Sequence, residues 1–582
     1  MTIATLGRLR LRQCKPYAAA PVVLLAILGG IAGCAAWRGE LSPAHNRRLE
    51  THLRNIHRAD LRSLSTDRPR TIEDEIDTVK QRRETKVPTS APASVALSVE
   101  DLRLKTLRNN LDLNVVFLDP TLAQTFVSEE KAKFDATIFG GVDYKRQDLP
   151  RLDSDLVDLD GSSDALDGEV VKLTRIEQTK DKLTLDAGIE VPLPTGGKLK
   201  LRSVFDEENK LAPERFEQFV SSLKFSYSQP LLRNAGIEAN TASIRIARLD
   251  AQAVGARTKL TAIRVLAGAE KAYWRTYGAQ KMLEVRIQQY DLAFDNLEFV
   301  RKRVEQGLSP KIEIVRAEVG VARRLEALIM SETNLRIQQR ELKRILNENG
   351  MPIDSPTAIN IISPPQLLRF MFEREKMTAD ALANRMEMLE LELKLAADAI
   401  KIDLARNKAL PLFVLDFEYG ILDRQASMGS AWQRMWDFDD TEFRVGLRGE
   451  IPVTNDAREA RLRRAILARS QRMATGAQRE LAIKQDVYDA LDVLDQNWQR
   501  ILAARQNVIV SGVNYEVELK QFNEGLRTMR EVLEVLTQLG EAQIREVKAI
   551  VAYQVAQIDL AFATGTLLGY AGTDFTPIPL TE

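Results

Sequence analysis

Residues 412–420 read Leu-Phe-Val-Leu-Asp-Phe-Glu-Tyr-Gly. Phe413, Leu415, Phe417 and Tyr419 fall on one side of an extended chain, and Asp416 and Glu418 on the other. This is the period-two alternation of a strand with one apolar and one polar face. Three more stretches alternate in the same way. In 135–146, Ile138, Val142 and Tyr144 oppose Thr137, Asp143 and Lys145. In 222–229, Leu223, Phe225 and Tyr227 oppose Ser222, Lys224, Ser226 and Ser228. In 443–451, Phe443, Val445, Leu447 and Ile451 oppose Arg444, Arg448 and Glu450. Strands of about ten residues with this pattern suit a membrane barrel with a wet interior. A soluble antiparallel sheet resting on a core alternates identically.

Strand count separates the two readings. Four strands cannot close a membrane barrel, for which about eight is the minimum. Open strand edges are not viable in lipid. Three copies of four strands make a closed, symmetric barrel of 12. The polar side of that wall, Asp143, Lys145, Lys224, Asp416, Glu418, Arg444, Arg448 and Glu450, then faces the pore. A further alternating hairpin at 181–205 turns at Pro194-Thr195-Gly196-Gly197 and reads as an extension of the loop beyond the barrel. The acidic stretch Asp153–Glu169 lacks the spacing of a calcium loop and reads as a solvated surface loop.

Around the strands the chain is helical and duplicated. Slid by 275 residues, Asn110–Tyr144 falls on Arg385–Tyr419 without a gap. Slid by 218, Ala269–Leu325 falls on Val487–Gln543, and Gly307, Leu308 and Glu313 meet Gly525, Leu526 and Glu531. The first copy is longer, and its excess lies within 146–220. Each copy reads helix, strand, strand, long helix, short helix. The long helices are expected over about Arg233–Gln306 and Asp456–Glu524, each roughly 100 Å at 1.5 Å per residue. Gly307-Leu308-Ser309-Pro310 and Gly525-Leu526 turn them back as antiparallel hairpins. Short helices are expected over 97–131, 308–349, 378–409 and 526–566. By length, 308–349 stacked on 378–409, and 97–131 on 526–566, would each match a long neighbour.

Composition closes most routes to catalysis. The 582 residues carry 82 Lys plus Arg and 82 Asp plus Glu, so no net field draws the chain to nucleic acid. The three histidines are His45, His52 and His57, and the two cysteines are Cys14 and Cys34. The remaining body has no His-based triad, Cys nucleophile or His/Cys zinc site. No metal site or cofactor is expected, and the protein is read as a non-enzyme. At the N-terminus, Arg8, Arg10, Arg12 and Lys15 precede an apolar run that ends in Ile31-Ala32-Gly33-Cys34. That is the tripartite form of a secretory signal. The run resembles a bacterial lipobox, which makes Cys34 the lipidated mature N-terminus; an uncleaved membrane anchor is the alternative. The domains read as a signal over 1–33, a tether over 34–94, a first repeat over 95–350, a linker over 351–373, a second repeat over 374–570 and a tail over 571–582.

Several motifs resemble TolC-like outer-membrane efflux proteins. They are Gln229-Pro230-Leu231-Leu232-Arg233, Ala272-Tyr273-Trp274, Ala381-Leu382-Ala383-Asn384-Arg385, Ile451-Pro452-Val453 and Ala563-Thr564-Gly565-Thr566-Leu567-Leu568. The resemblance covers about residues 96–570. It implies a homotrimer with a 12-stranded outer-membrane barrel continued by a periplasmic α-helical barrel. It further implies docking to a periplasmic adaptor (membrane fusion) protein and an inner-membrane pump of the RND, ABC or MFS type. The function expected is a passive exit conduit of a tripartite efflux or type I secretion system. The alternative is a lipid-anchored periplasmic coiled-coil scaffold. By the same resemblance Glu531 and Glu534, three apart on one helix face, fall at the aperture with Arg527 as the tip arginine. Rings of such acids would select cations, and their mutual repulsion would raise their pKa values. Gly307, Leu308, Ser309, Gly525 and Leu526 are the expected adaptor-contact tips.

Overall fold

A computed structural model describes residues 94–158, 169–210 and 216–570, together with Ile72. The signal, Cys34, the tether before Ser94, the three histidines and the tail 571–582 lie outside the described residues. The chain divides into two units, Met1–Glu84 and Thr85–Glu582, and every element from Ser94 onward belongs to the second.

The first repeat opens with a short strand, β1 (Ser94–Leu97), and helices α1 (Val99–Asn109), α2 (Leu111–Val116) and α3 (Leu118–Ala132). Strands β2 (Thr137–Asp158), β3 (Glu169–Pro192), β4 (Lys198–Lys210) and β5 (Phe216–Pro230) follow. Next come the short α4 (Ile237–Asn240), the 64-residue α5 (Ala242–Glu305) and the returning α6 (Ile312–Leu346). The linker holds β6 (Ala358–Ile361), which pairs in parallel with β1. The second repeat contains α7 (Arg374–Asn384), α8 (Met386–Ala409), β7 (Leu412–Gln425), α9 (Met428–Arg434) and β8 (Thr441–Glu450). It ends with the 68-residue α10 (Asp456–Asn523), the returning α11 (Met529–Ala563) and α12 (Leu567–Tyr570).

The duplication holds in detail. β2 starts at Thr137 and β7 at Leu412, 275 residues apart. Asn110 breaks α1 from α2 with φ −66° and ψ 123°, and Arg385 breaks α7 from α8 with φ −71° and ψ 128°. Each long helix ends in a glycine with positive φ, Gly307 at 73° and Gly525 at 81°. Leu308 N–H then reaches back to the Arg303 carbonyl at 2.8 Å, and Leu526 N–H to that of Gln521 at 2.9 Å. This is the glycine-terminated helix end in which a left-handed residue lets orphan carbonyls be satisfied.

Two sequence expectations are corrected. The first concerns helix stacking. The end of α6 meets the α1–α2 break: Asn110 Nδ2 donates to the Ile345 carbonyl at 3.0 Å, and Asn347 Nδ2 to that of Asn109 at 3.2 Å. The end of α11 meets the α7–α8 break, where a Cβ on Gly565 would lie 3.0 Å from the Asn384 backbone. Each returning helix is therefore continued by the short helix of its own repeat, α6 by α2–α3 and α11 by α8. Length alone pairs them across repeats, but all four short helices are of similar enough length to allow either arrangement.

The second correction concerns the sheet. It has six strands in the order β2-β3-β4-β5-β7-β8, all antiparallel. The hairpin at 181–205 does not stand apart from the other strands. It supplies the paired portions of β3 and β4 and stands between β2 and β5. The expected four strands per chain do not describe this sheet, which has six.

Packing among the helices comes from three apolar clusters. One gathers Leu97, Leu266, Tyr273, Leu342, Ile359 and Ile558 beside the β1–β6 ribbon. A second, near the hairpin tips, holds Tyr290, Leu297, Val321, Phe522, Val532 and Leu536. A third joins α7, α10 and α11 through Ile483, Val487, Tyr553 and Leu560. Tyr273 Oη donates to the Leu97 carbonyl at 3.1 Å, which satisfies its polar end inside the first cluster. Glu270 is buried on α5 and ion-paired with Arg103 of α1 at 2.6 Å. Removing one partner of a buried pair strands the other charge. Arg103→Met is therefore expected to lower stability by about 3 kcal/mol. Arg103→Met combined with Glu270→Leu should recover most of that loss. Thermal unfolding in detergent checks both, and an unchanged midpoint in the single variant would contradict the assignment.

Candidate conduit wall and hairpin tips

The register makes the sheet two-faced across all six strands. One row runs Ile138, Ile189, Leu201, Phe225, Tyr419, Phe443 from edge to edge, every member apolar. The adjacent row on the other face runs Thr137, Glu190, Lys200, Ser226, Glu418, Arg444. All eight residues expected to face a pore lie on this second face: Asp143, Lys145, Lys224, Asp416, Glu418, Arg444, Arg448 and Glu450. Charges there pair across strands. Arg448 meets Asp416 at 3.2 Å, Lys182 meets Asp206 at 3.0 Å and Arg202 meets Asp186 at 3.2 Å. Glu450 sits at the helical end of the sheet, between Arg233 and Arg458, both at 3.3 Å. Such half-solvated pairs order the polar face more than they stabilise the fold.

An aromatic residue of β2 departs from the alternation. Phe139 lies on the polar face, where its ring occupies the space a Cβ on Gly188 would take, and Lys200 Nζ lies 4.5 Å from the ring centroid. Between β7 and β8, at the end away from the long helices, Trp432 and Trp436 pack edge to face, and both are exposed.

The two hairpin tips are side by side. Arg303, in the last turn of α5, donates to the carbonyls of Phe522 and Asn523 at 3.2 and 3.3 Å. Its guanidinium also lies over the rings of Phe299 and Phe522. A cation on the C-terminal carbonyls of α10 complements the helix dipole. Nothing in the spacing singles out Arg303; the signal available is a basic residue in a final turn. Leu308 and Leu526 are both exposed. Further along, Arg324 of α6 is buried and donates to the Leu533 carbonyl at 3.3 Å and Thr537 Oγ1 at 3.2 Å on α11. Burial pushes this guanidinium down to about 10, so it remains charged at neutral pH.

The two aperture candidates differ in their surroundings. Glu531 is the N3 residue of a capping box at the start of α11. Its Oε2 accepts from Thr528 N–H at 2.8 Å and Thr528 Oγ1 at 3.1 Å, and its Oε1 from Arg527 at 3.3 Å. Glu534 is exposed and forms no ion pair among the described residues. Arg527 also reaches Glu518 at 3.4 Å. In the single chain, the Thr528 backbone N–H foremost, then its hydroxyl and Arg527, hold the Glu531 carboxyl below the usual carboxylate range. These donors are local to one chain and act on the carboxyl apart from any neighbouring acid.

Residues 378–566 match the family model described as outer membrane efflux protein. The pyoverdine export outer membrane protein OpmQ of Pseudomonas putida is 26% identical over 344 residues, covering 56% of this chain. The family match falls within the second repeat of the chain. The OpmQ match spans 65% of that protein's length. Among solved structures, a crystal structure of CusC superimposes with a TM-score of 0.59 at 15% identity, covering 82% of this chain and 96% of that one. The outer membrane channel CmeC of Campylobacter jejuni gives 0.58 at 12% identity, covering 81% and 86%. The open state of MtrE of Neisseria gonorrhoeae gives 0.55 at 14%, covering 83% and 94%. At these identities the likeness is one of fold. These matches are to outer membrane proteins and channels. None of this chain's helices is long and apolar enough to cross a membrane among the described residues, and the amphipathic sheet remains the element suited to lipid.

The capping box carries a pH dependence with a definite sign. A carboxyl whose pKa is depressed by folding stabilises the fold above its unfolded pKa, and that support is lost as pH falls through the folded value. Amide protection in Met529–Val532, followed by mass spectrometry as exchange relative to the intrinsic rate at each pH, should therefore fall on acidification in the native protein. In Glu531→Ala it should already be low at neutral pH. Equal protection in both proteins at neutral pH would remove the capping role.

Proposed function

We propose that this protein is a trimeric, passive exit conduit of the outer membrane, coupled to a periplasmic adaptor and an inner-membrane pump. The observation that carries this reading is the two-faced sheet joined directly to two long helical hairpins. Its apolar rows suit lipid and its charged rows suit a water-filled lumen. Both margins of the single chain are unfinished. Ile138 on β2 is 84% exposed and Phe443 on β8 is 74% exposed, although both belong to the apolar row. Among the helices, α10 exposes Leu467, Leu481, Val510 and Val513, and α3 exposes Leu122 and Phe126. Apolar edges on both the sheet and the helical layer favour neighbours of the same kind around a threefold axis. The name of OpmQ, which places that protein in pyoverdine export, supports an export role here.

In this reading Asp143, Lys145, Lys224, Asp416, Glu418, Arg444, Arg448 and Glu450 line the outer lumen. Leu308 and Leu526, with Gly307, Ser309 and Gly525, form the surface met by the adaptor. Glu534, with Glu531 and Arg527, forms the periplasmic gate. Three exposed Glu534 carboxylates brought together would favour cations in a narrow aperture. Glu531→Gln with Glu534→Gln removes both charges while retaining side-chain length and an amide oxygen able to accept from Thr528. In planar bilayers this variant should lose cation selectivity and block by trivalent cations. Unchanged selectivity and block would overturn the acid ring.

Cys34 anchors the mature chain by acylation in the same proposal. Cys34→Ala should abolish incorporation of radiolabelled palmitate, and labelling equal to the parent's would reject the anchor.

A further inference from the structure

The paired strands β3 and β4 lie within the first-repeat excess, between two strands that the duplication would otherwise make neighbours. Their placement in the sheet is specified from both sides and from below. On one side β3 is laddered to β2 from Thr137↔Glu190 upward. On the other, β4 is laddered to β5 from Lys198↔Ser228 to Lys210↔Phe216. The facing edges of β2 and β5 are thus already occupied by β3 and β4. Below, the turn between β3 and β4 is fastened to the strand-to-helix junction of the first repeat. Gly236 N–H and Gln229 Nε2 both donate to the Thr195 carbonyl, each at 3.1 Å. Gly196 has φ 90°, and a Cβ there would lie 2.1 Å from the Asn234 carbonyl oxygen, so only glycine fits this contact. A hairpin projecting from the far end of a barrel would hold its turn away from the helices, whereas this one starts beside them.

The side chains agree with the backbone. Leu183, Leu185, Ile189 and Val191 of β3, with Leu199, Leu201 and Phe205 of β4, continue the apolar face. Lys182, Asp186, Glu190, Lys200, Arg202 and Asp206 continue the charged one. Six is also an even number, so the edge strands β2 and β8 run in opposite directions. Joining β8 of one copy to β2 of the next therefore extends the same antiparallel pattern around a ring.

We infer that β3 and β4 are wall strands and that three copies, joined β8 to β2, close a barrel of 18 strands rather than 12. This rests on the trimeric conduit proposed above. Barrel diameter grows roughly linearly with strand number, so at equal tilt the outer mouth is about 1.5 times as wide as a 12-stranded one. The added wall carries both signs in pairs, as in Lys198–Glu190 at 2.9 Å and Lys182–Asp206 at 3.0 Å. Its lumen is broad and locally charge-balanced, suited to bulky solutes of either charge, with charge discrimination left to the periplasmic end.

The test uses the full chain in reconstituted vesicles, with single cysteines at Leu199, Lys200, Leu201 and Arg202 and the parent chain as the Cys34 background. A membrane-impermeant maleimide should label Lys200→Cys and Arg202→Cys about ten-fold faster than Leu199→Cys and Leu201→Cys. Mass measurement in detergent reads the oligomer independently. Alternating labelling in a trimer supports the 18-stranded wall. Equal labelling at all four positions in an intact trimer overturns it and leaves the conduit reading standing. Absence of a trimer overturns the conduit reading itself. A second variant, lacking residues 151–214, rejoins β2 to β5 with the alternation of both strands kept in phase. The largest polymer admitted from the external side should have a radius smaller by about one third. An unchanged exclusion limit would overturn the wider mouth.

Discussion

A strand in hydrocarbon has no water to which its N–H and C=O groups can turn, so each must be paired by another strand. In this chain that requirement is met within the sheet from β2 to β8 and left open at its two margins. In the proposed conduit the open margins call for neighbours, and the paired interior forms a continuous wall segment. The alternation of side chains follows from the same ladder, since residues opposite one another share a face. One unbroken apolar row across six strands arises only because every turn preserves the phase.

The helical part obeys a different constraint. Two helices of 64 and 68 residues are far too long to be stabilised by propensity alone, and they are held by what lies beside them. Their neighbours come in halves, and each junction between halves falls where the backbone leaves the helical region, at Asn110 and at Arg385. Asn110 caps the helix that follows it and donates to the end of the helix that arrives. Arg385 joins its break to the long helix through Asp486 at 2.8 Å. The duplicated plan thus uses different chemistry for the same purpose in its two copies.

Much of this is legible along the chain. Period-two alternation marks β2, β5, β7 and β8. The offset of 275 places β7 against β2, and paired glycines locate both tips. The eight charged residues share one face, as their spacing implies, because parity along a strand is a local property. The hairpin at 181–205 is legible as a hairpin but not as part of the wall, because alternation says that a strand has two faces and nothing about which strands flank it. Stacking partners are hidden for a related reason: lengths are local, and contacts are not. The capping role of Glu531 is written in Thr528 and the three-residue spacing between them, a signal as local as any strand's alternation.

What the sequence determined by itself is therefore the set of elements, their faces, the duplication and the chemical poverty that excludes catalysis by His or Cys. These depend on residue type and spacing over at most a few turns or strands. Only the tertiary structure decided that the sheet has six members, that each returning helix meets the break in its own repeat, and that Arg303 and Arg103 lock distant segments. Those outcomes depend on strand ladders, hydrogen bonds and buried ion pairs between residues up to 238 positions apart, which no local pattern encodes.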